Sequence, residues 1–268
     1  METRNNAFSL VELSIVLVIL GLLTGGILAG QSLIRAAELR SVGTEYSKYI
    51  TATQTFRDKY LNIPGDFRDA SRFWLRMTSN ATCVTNSAAT QNADGVCDGD
   101  GDGRVFTSSG AGNPAEGFMF WRHLAKAGLI EGSSYSGLTG SGGGLHVTLG
   151  DNSPRSKLSQ AGWSIVWHDN SGGSTPYMYT MNYGNRFMFG ATAANSWNNT
   201  YVLKPEEAWN IDTKLDDGKP ATGTIIAMAF PDICASADDG TSELTDFVAS
   251  YRLNTTSVSC SLLIKAGF

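Results

Sequence analysis

The chain has 268 residues, 20 Lys and Arg against 25 Asp and Glu, and a formal net charge of −5. This length suffices for one large domain or two small ones, each with a buried core of its own. The acidic balance argues against broad binding to a nucleic-acid backbone, which needs clustered Lys and Arg.

Residues 1–7, METRNNA, are short and polar and carry Arg4. Residues 8–29 are then dominated by Leu, Ile and Val, with Gly21, Gly25 and Gly26 interspersed. About 20 apolar residues suffice to span a bilayer as a helix. Arg4 before the run, with no basic cluster after it, points to a cytoplasmic N-terminus. Glu12 is the only charge in the run. A charged side chain in a bilayer core costs roughly 2.5–3.5 kcal/mol, so Glu12 calls for a function.

The helical pattern continues past the membrane length. Leu33, Ala37, Val42, Tyr46, Tyr49, Ile50, Thr53, Phe56 and Tyr60 recur at spacings near three and four. Arg35, Glu38, Arg40, Glu45, Lys48, Arg57 and Asp58 fall largely between them. Pro64 and Gly65 in LNIPGD end the helix. One helix from Phe8 to Leu61 would be about 80 Å long. Its first half is apolar all round, and a single chain cannot bury that half against itself.

Farther on, DFRDASRFWLRM reads as a short helix, and TSNATCVTNSAATQNADGVCDGDGDGRVF as a long loop. PAEGFMFWRHLAKAGLIEG is predicted to be a helix opened by Pro114 and closed by Gly128 or Gly132. LHVTLG, WSIVWHD, YMYTMNYG, RFMFGA, GTIIAMAF and the terminal SCSLLIKAGF carry strand signals between turn residues. KPEEAWNIDTKLDDG reads as a helix opened by Pro205 and closed before Gly218. The 30 glycines, many beside Ser, Thr and Asn, mark a turn-rich, β-containing body.

The four cysteines are Cys83, Cys97, Cys234 and Cys260. Four cysteines allow three pairings; Cys83–Cys97 with Cys234–Cys260 needs the shortest loops. A disulfide that closes a loop of about 15 residues is worth ~3 kcal/mol in the chain-entropy model. Neither pair has CxxC spacing, which argues against zinc or thiol-redox chemistry. Disulfides would place the body outside the cytoplasm.

DGDGDGRV sets Asp98, Asp100 and Asp102 at alternate positions, then Gly103 and an apolar Val105. This is the first half of an EF-hand-type loop, whose closely spaced carboxylates repel one another without a cation. Calcium fits best. The twelfth position is Ser109 rather than Glu, so Glu116 or Asp94 is expected to complete the shell. Asp212, Asp216 and Asp217 form a second acidic group, read first as capping and turn residues. Catalytic patterns are absent: His123, His146 and His168 are scattered, and neither GxSxG nor HExxH occurs. GSGGG at 140–144 lacks the Lys and Ser/Thr of a phosphate loop. These residues exclude the common hydrolase and nucleotide-binding readings.

AFSLVELSIVLVILGLL resembles the processing motif of the type IV pilin-like (prepilin) family: a short leader, a small residue, then Phe, Ser or Thr, Leu, an aliphatic residue and Glu. The resemblance implies cleavage after Ala7 by a prepilin peptidase and N-methylation of Phe8. Gly is the commoner residue before that cut. It also implies an α+β, pilin-like fold, with a long N-terminal transmembrane and amphipathic helix packed on a globular domain that carries an antiparallel β-sheet. Residues 1–7 would be the leader, 8–61 the helix with 8–29 as membrane and filament core, and 62–268 a periplasmic or extracellular body. Such subunits wait in the bacterial inner membrane as single-pass proteins and then pack into a helical filament. Glu12 would there lie near the free amine of a neighbour's Phe8, since a carboxylate in a low-dielectric core needs such a partner.

Implied partners are copies of the chain and related pilin or pseudopilin subunits, the peptidase and an inner-membrane assembly platform. Both a type IV pilus and a type II secretion pseudopilus fit, and the large body favours a minor subunit. Pseudopilins can bind calcium in their globular part. Gly21, Gly25 and Gly26 would permit close helix packing or local stretching; the helix-breaking Pro frequent in the family is missing. NIDTKLDDGKP and FWRHLAKAGLIEG also resemble recurrent segments of large prepilin-type proteins. Two other classes compete: a membrane-anchored adhesin or DNA-uptake module, and a secreted protein whose ordinary signal peptide is cut after ILAG. The mature N-terminus separates them.

Overall fold

The structure is a computed structural model that describes residues 10–77, 94–106, 116–131, 135–138, 146–172, 178–194, 196–228, 233–236 and 247–268. Leu10–Tyr60 forms one unbroken helix, α1, of 51 residues. Its N-terminal part is exposed on all sides as far as Ile34, save half-buried Gly30. Beyond that, Val42, Tyr49, Ala52, Thr53 and Phe56 are buried on one stripe, the face that the apolar spacing predicts.

The end of α1 is built by left-handed backbone. The Leu61 amide donates to the Arg57 carbonyl at 2.8 Å. Leu61 itself has φ +54°, a conformation costing an L-residue roughly 1–2 kcal/mol. Gly65 follows with φ +87°, and a Cβ there would lie 2.5 Å from the Glu116 carbonyl oxygen. Only glycine lets the chain turn this close to the next helix.

Ala70–Phe73 is a single helical turn, α2, and Glu116–Lys126 is α3. Two strands follow, β1 at Gly162–Asp169 and β2 at Asn182–Gly190. The helix α4 spans Pro205–Leu215, and Ile225–Met228 and Ser261–Lys265 are β3 and β4. The strands form one antiparallel sheet in the order β1-β2-β4-β3. Trp163 pairs with Phe189, Phe187 with Ile264, and Ile225 with Ile264 in register.

That register sends Trp163, Phe187, Phe189, Ile225 and Ile264 to the face that meets α1 and α3. Tyr49 of α1 sits edge-on to Trp121 at 4.9 Å and to Trp163 at 5.6 Å between ring centres. Such aromatic pairs add about 0.5–1.5 kcal/mol beyond their buried area. The opposite face carries Val166, Met188, Ile226 and Leu263, covered by Met178, Tyr179 and Tyr183. Burial on both faces explains why IIAM and SLLI read as continuous apolar runs rather than as alternation.

Several sequence expectations change here. LHVTLG is no strand: its described residues hold only an isolated bridge from Leu149 to Ser153. YMYTMNYG and RFMFGA are not two strands, because β2 alone runs from Asn182 to Gly190. Local side-chain bonds replace the ladder before it. Asn170 Nδ2 donates to the Met178 and Tyr179 carbonyls, and the Tyr183 hydroxyl donates to that of Tyr179 at 3.0 Å. DFRDASRFWLRM yields only the turn of α2, after which Trp74 is extended. Cys234 and Cys260 form a disulfide, with Cα atoms 5.1 Å apart. Cys97 is also disulfide-bonded, and Cys83 lies outside the described residues.

Candidate functional site

Two regions bear the candidate residues: the exposed half of α1 and a loop beside its far end. Glu12 lies in the first turn of α1 and is exposed; Ala7 and Phe8 lie outside the described residues. The helix is long and apolar enough to cross a membrane, and no part of its apolar window is buried. A Cβ added at Gly21, Gly25 or Gly26 would meet nothing within 4 Å. Among the described residues, nothing therefore requires glycine there.

The body grips α1 through polar contacts as well as its core. Where the helix first reaches the body, Arg35 donates from Nε and Nη2 to Glu207, both at 2.7 Å. Arg35 Nη2 also reaches the Val202 carbonyl at 3.0 Å. Glu207 in turn accepts the Lys204 amide at 2.9 Å, so one carboxylate caps α4 and holds α1. Higher up, Glu45 accepts from Ser156 Oγ at 2.7 Å, the Lys157 amide at 2.8 Å and Trp163 Nε1 at 2.7 Å. On the other flank the Tyr46 hydroxyl donates to the Lys265 carbonyl at 3.0 Å, and Gln54 Nε2 to that of Gly267 at 3.1 Å. Sequence periodicity places Arg35 and Glu45 only among outward charges. Their partners in the body lie more than 100 positions away, beyond any local signal.

The acidic loop folds against the break after α1. Asp66, from PGD, directs its carboxylate at the loop backbone, accepting from the amides of Gly101, of Asp102 at 3.2 Å and of Gly103 at 2.8 Å. A Cβ at Gly99 would lie 2.5 Å from Asp66 backbone atoms, so this glycine lets the two segments lie in contact. Asp100 Oδ1 accepts the Asp102 amide at 3.1 Å, and Asp102 Oδ1 that of Arg104 at 2.8 Å. Carboxylate oxygens of Asp66, Asp100 and Asp102 all lie within 4.8 Å of one another.

The set differs from DGDGDG alone. Asp98 turns away, accepting the Ser71 amide at 2.7 Å and Ser71 Oγ at 2.8 Å, with Arg76 3.8 Å off. Glu116 is buried, and its two oxygens accept the amides of Asp100 and Phe106, each at 3.1 Å. It frames the loop rather than joining the cluster. Asp94 pairs with Lys126 at 3.5 Å, and Ser109 lies outside the described residues. Asp66 carries no sequence signal for this role, because it stands 34 positions before Asp100.

The electrostatics follow from burial. Burial pushes the Asp66 carboxyl up to about 6, and Asp100 and Asp102 add to the rise, while the loop amides oppose it. Burial pushes Glu116 up to about 9 against the pull of its two amide donors. Three clustered carboxylates, with one already disfavoured as an anion, suit a hard cation with oxygen ligands.

The other candidates are structural. His123 is fully buried; its Nδ1 accepts the Gly65 amide at 2.9 Å and its Nε2 faces the Cys97 carbonyl at 3.1 Å. Burial drops its pKa to about 3, so it is neutral at ordinary pH. In the second acidic group, Asp212 accepts from the Tyr251 hydroxyl at 2.8 Å and the Gly218 amide at 3.2 Å. Asp216 and Asp217 bind the backbone or hydroxyls of residues 219–225. These contacts serve turns and packing, while the three carboxylates also lie within 4.8 Å of one another.

Residues 3–28 match the model of the prokaryotic N-terminal methylation motif, the type IV prepilin-like signature. No curated protein and no solved structure matches the chain. With a long apolar helix laid on a four-stranded antiparallel sheet, the architecture is α+β and pilin-like.

Proposed function

From that signature we propose that the chain is a pilin- or pseudopilin-type filament subunit, cut after Ala7 and methylated at Phe8. The observation that carries this reading is the coincidence of the motif with a helix whose apolar N-terminal part has no cover among the described residues. A membrane covers it before assembly, and neighbouring helices cover it afterwards. Its partners are copies of itself or related subunits, the prepilin peptidase and an inner-membrane platform. The body stands outside the cytoplasm, in keeping with its disulfide. Its size suits a minor position. The chain performs no catalysis in this account; it is itself a substrate.

Glu12 sets axial register by meeting the free amine of a neighbour's Phe8. A slipped subunit would leave both charges without that partner in a low-dielectric core. Glu12→Ala should insert in the membrane as the wild type does and fail to enter filaments. Filament yield equal to wild type would remove this role.

Calcium belongs to the same proposal. Asp66, Asp100 and Asp102 would hold the ion, with Glu116 and the loop backbone fixing their positions. The ion would supply charge neutralisation and rigidity to the loop beside the end of α1, as it does in other oxygen-ligated loops.

A further inference from the structure

Leu61 breaks two rules at once. It is 88% exposed, although it follows directly on a helix whose last turns are docked. It also holds φ +54°, at a helix end where glycine or asparagine is the usual occupant. Strain that an ordinary residue endures at an exposed position points to a use for its side chain. Asp58 flanks this apolar knob one turn earlier and is exposed; Arg57 beside it leans to Gln54 Oε1 at 3.4 Å.

A receptor of the opposite kind lies at the other end of the docked helix. Leu39 and Gly43 of α1, with Ile211 and Leu215 of α4, line a groove of about 330 Å³. A Cβ at Gly43 would press on Leu215 at 3.3 Å, so the glycine lets Leu215 of α4 pack close on α1 and form one wall of the groove. Arg40 and Lys214 rim it. Among the described residues, neither they nor Asp58 have an ion-pair partner.

We propose that the Leu61 knob of one copy seats in the Leu39–Leu215 groove of a second copy, with Asp58 meeting Arg40 and Lys214. Knob and groove are different surfaces, so the contact is head-to-tail, the kind that continues into an open filament when its rotation does not close a ring. From Gly43 to Leu61 the helix rises about 27 Å, which sets the axial offset between the two copies in contact. Apolar insertion supplies the anchor, and the charges select direction. The inference rests on the filament reading and adds a contact between bodies, apart from the packing of the apolar helices.

The full-length chain, expressed in a filament-forming cell, tests this. The described residues hold no free cysteine. Leu61→Cys with Leu215→Cys in one chain should give a ladder of oxidised multimers, and each single variant should not. Leu61→Gly separates docking from capping. Glycine relieves the left-handed backbone, so the detergent-solubilised chain should melt at the wild-type temperature or above it, while filament yield falls at least several-fold. Wild-type filament yield in Leu61→Gly, or filaments without a ladder in the double variant, would overturn the docking and leave the filament reading standing. If the wild-type chain never enters filaments, the filament reading falls and the docking with it.

Discussion

Glu45 joins three donors from a segment more than 100 positions away, and one of them is the indole of buried Trp163. Removing the carboxylate strands that indole N–H, a loss of about 1–3 kcal/mol. Glu45→Ala should therefore lower the unfolding midpoint of the detergent-solubilised chain in denaturant, and Glu45→Gln should fall between the two. An unchanged midpoint would mean that the apolar stripe alone docks the helix. His123 predicts a pH dependence. Its folded pKa, about 3, lies below the ordinary 6.5, so the unfolded chain takes up the proton first. The stability it contributes is full above about 6.5 and is lost as pH falls toward 3. Asp212 works in the opposite sense: raised by burial to about 7 from 3.8, its contribution is lost as pH rises between those values. The wild-type profile sums these with Asp66 and Glu116, which burial also raises, so the difference between variants carries the test. His123→Phe should flatten the loss of stability between pH 6.5 and 4 relative to wild type; parallel curves would contradict the buried neutral imidazole.

At the scale of elements, the acidic loop joins DGDGDG to a residue outside it. Calcium should raise the melting temperature of the chain, since a ligand at about 100 times its dissociation constant adds ~2.7 kcal/mol. Asp66→Asn should abolish that shift, and Asp98→Asn should leave it nearly whole, because Asp98 serves Ser71 and Arg76. No thermal response to calcium would remove the site. The same loop marks the limit of what sequence makes legible. Alternating carboxylates and Gly103 single out the loop as a cation candidate, because that pattern is local. Asp66 joins by tertiary contact, and its neighbours Pro64 and Gly65 read only as a helix break. The long helix was legible to within a residue at its C-terminal end, since apolar periodicity and a Pro-Gly stop agree. The stretch before β2 was not, because Met178 and Tyr179 have strand-forming chemistry while the Asn170 side chain takes their carbonyls.

The whole molecule divides into a docked half and an undocked half of one helix. Arg35 and Glu207 mark the boundary. Above it, aromatic packing and the Glu45 bonds fix the helix on the sheet; below it, the apolar side chains are exposed. The proposed assembly from a membrane reservoir would account for both halves with one sequence, because the bilayer and a bundle of neighbouring helices are equivalent apolar surroundings. Everything in that account depends on the cut that turns the precursor into a subunit. The most direct measurement is the mass of the N-terminal peptide of the chain isolated from its own cells. The account predicts a peptide that begins at N-methylated Phe8 and lacks residues 1–7. A chain that begins near Gly30, or one that keeps Met1–Ala7 in the presence of an active prepilin peptidase, would contradict it.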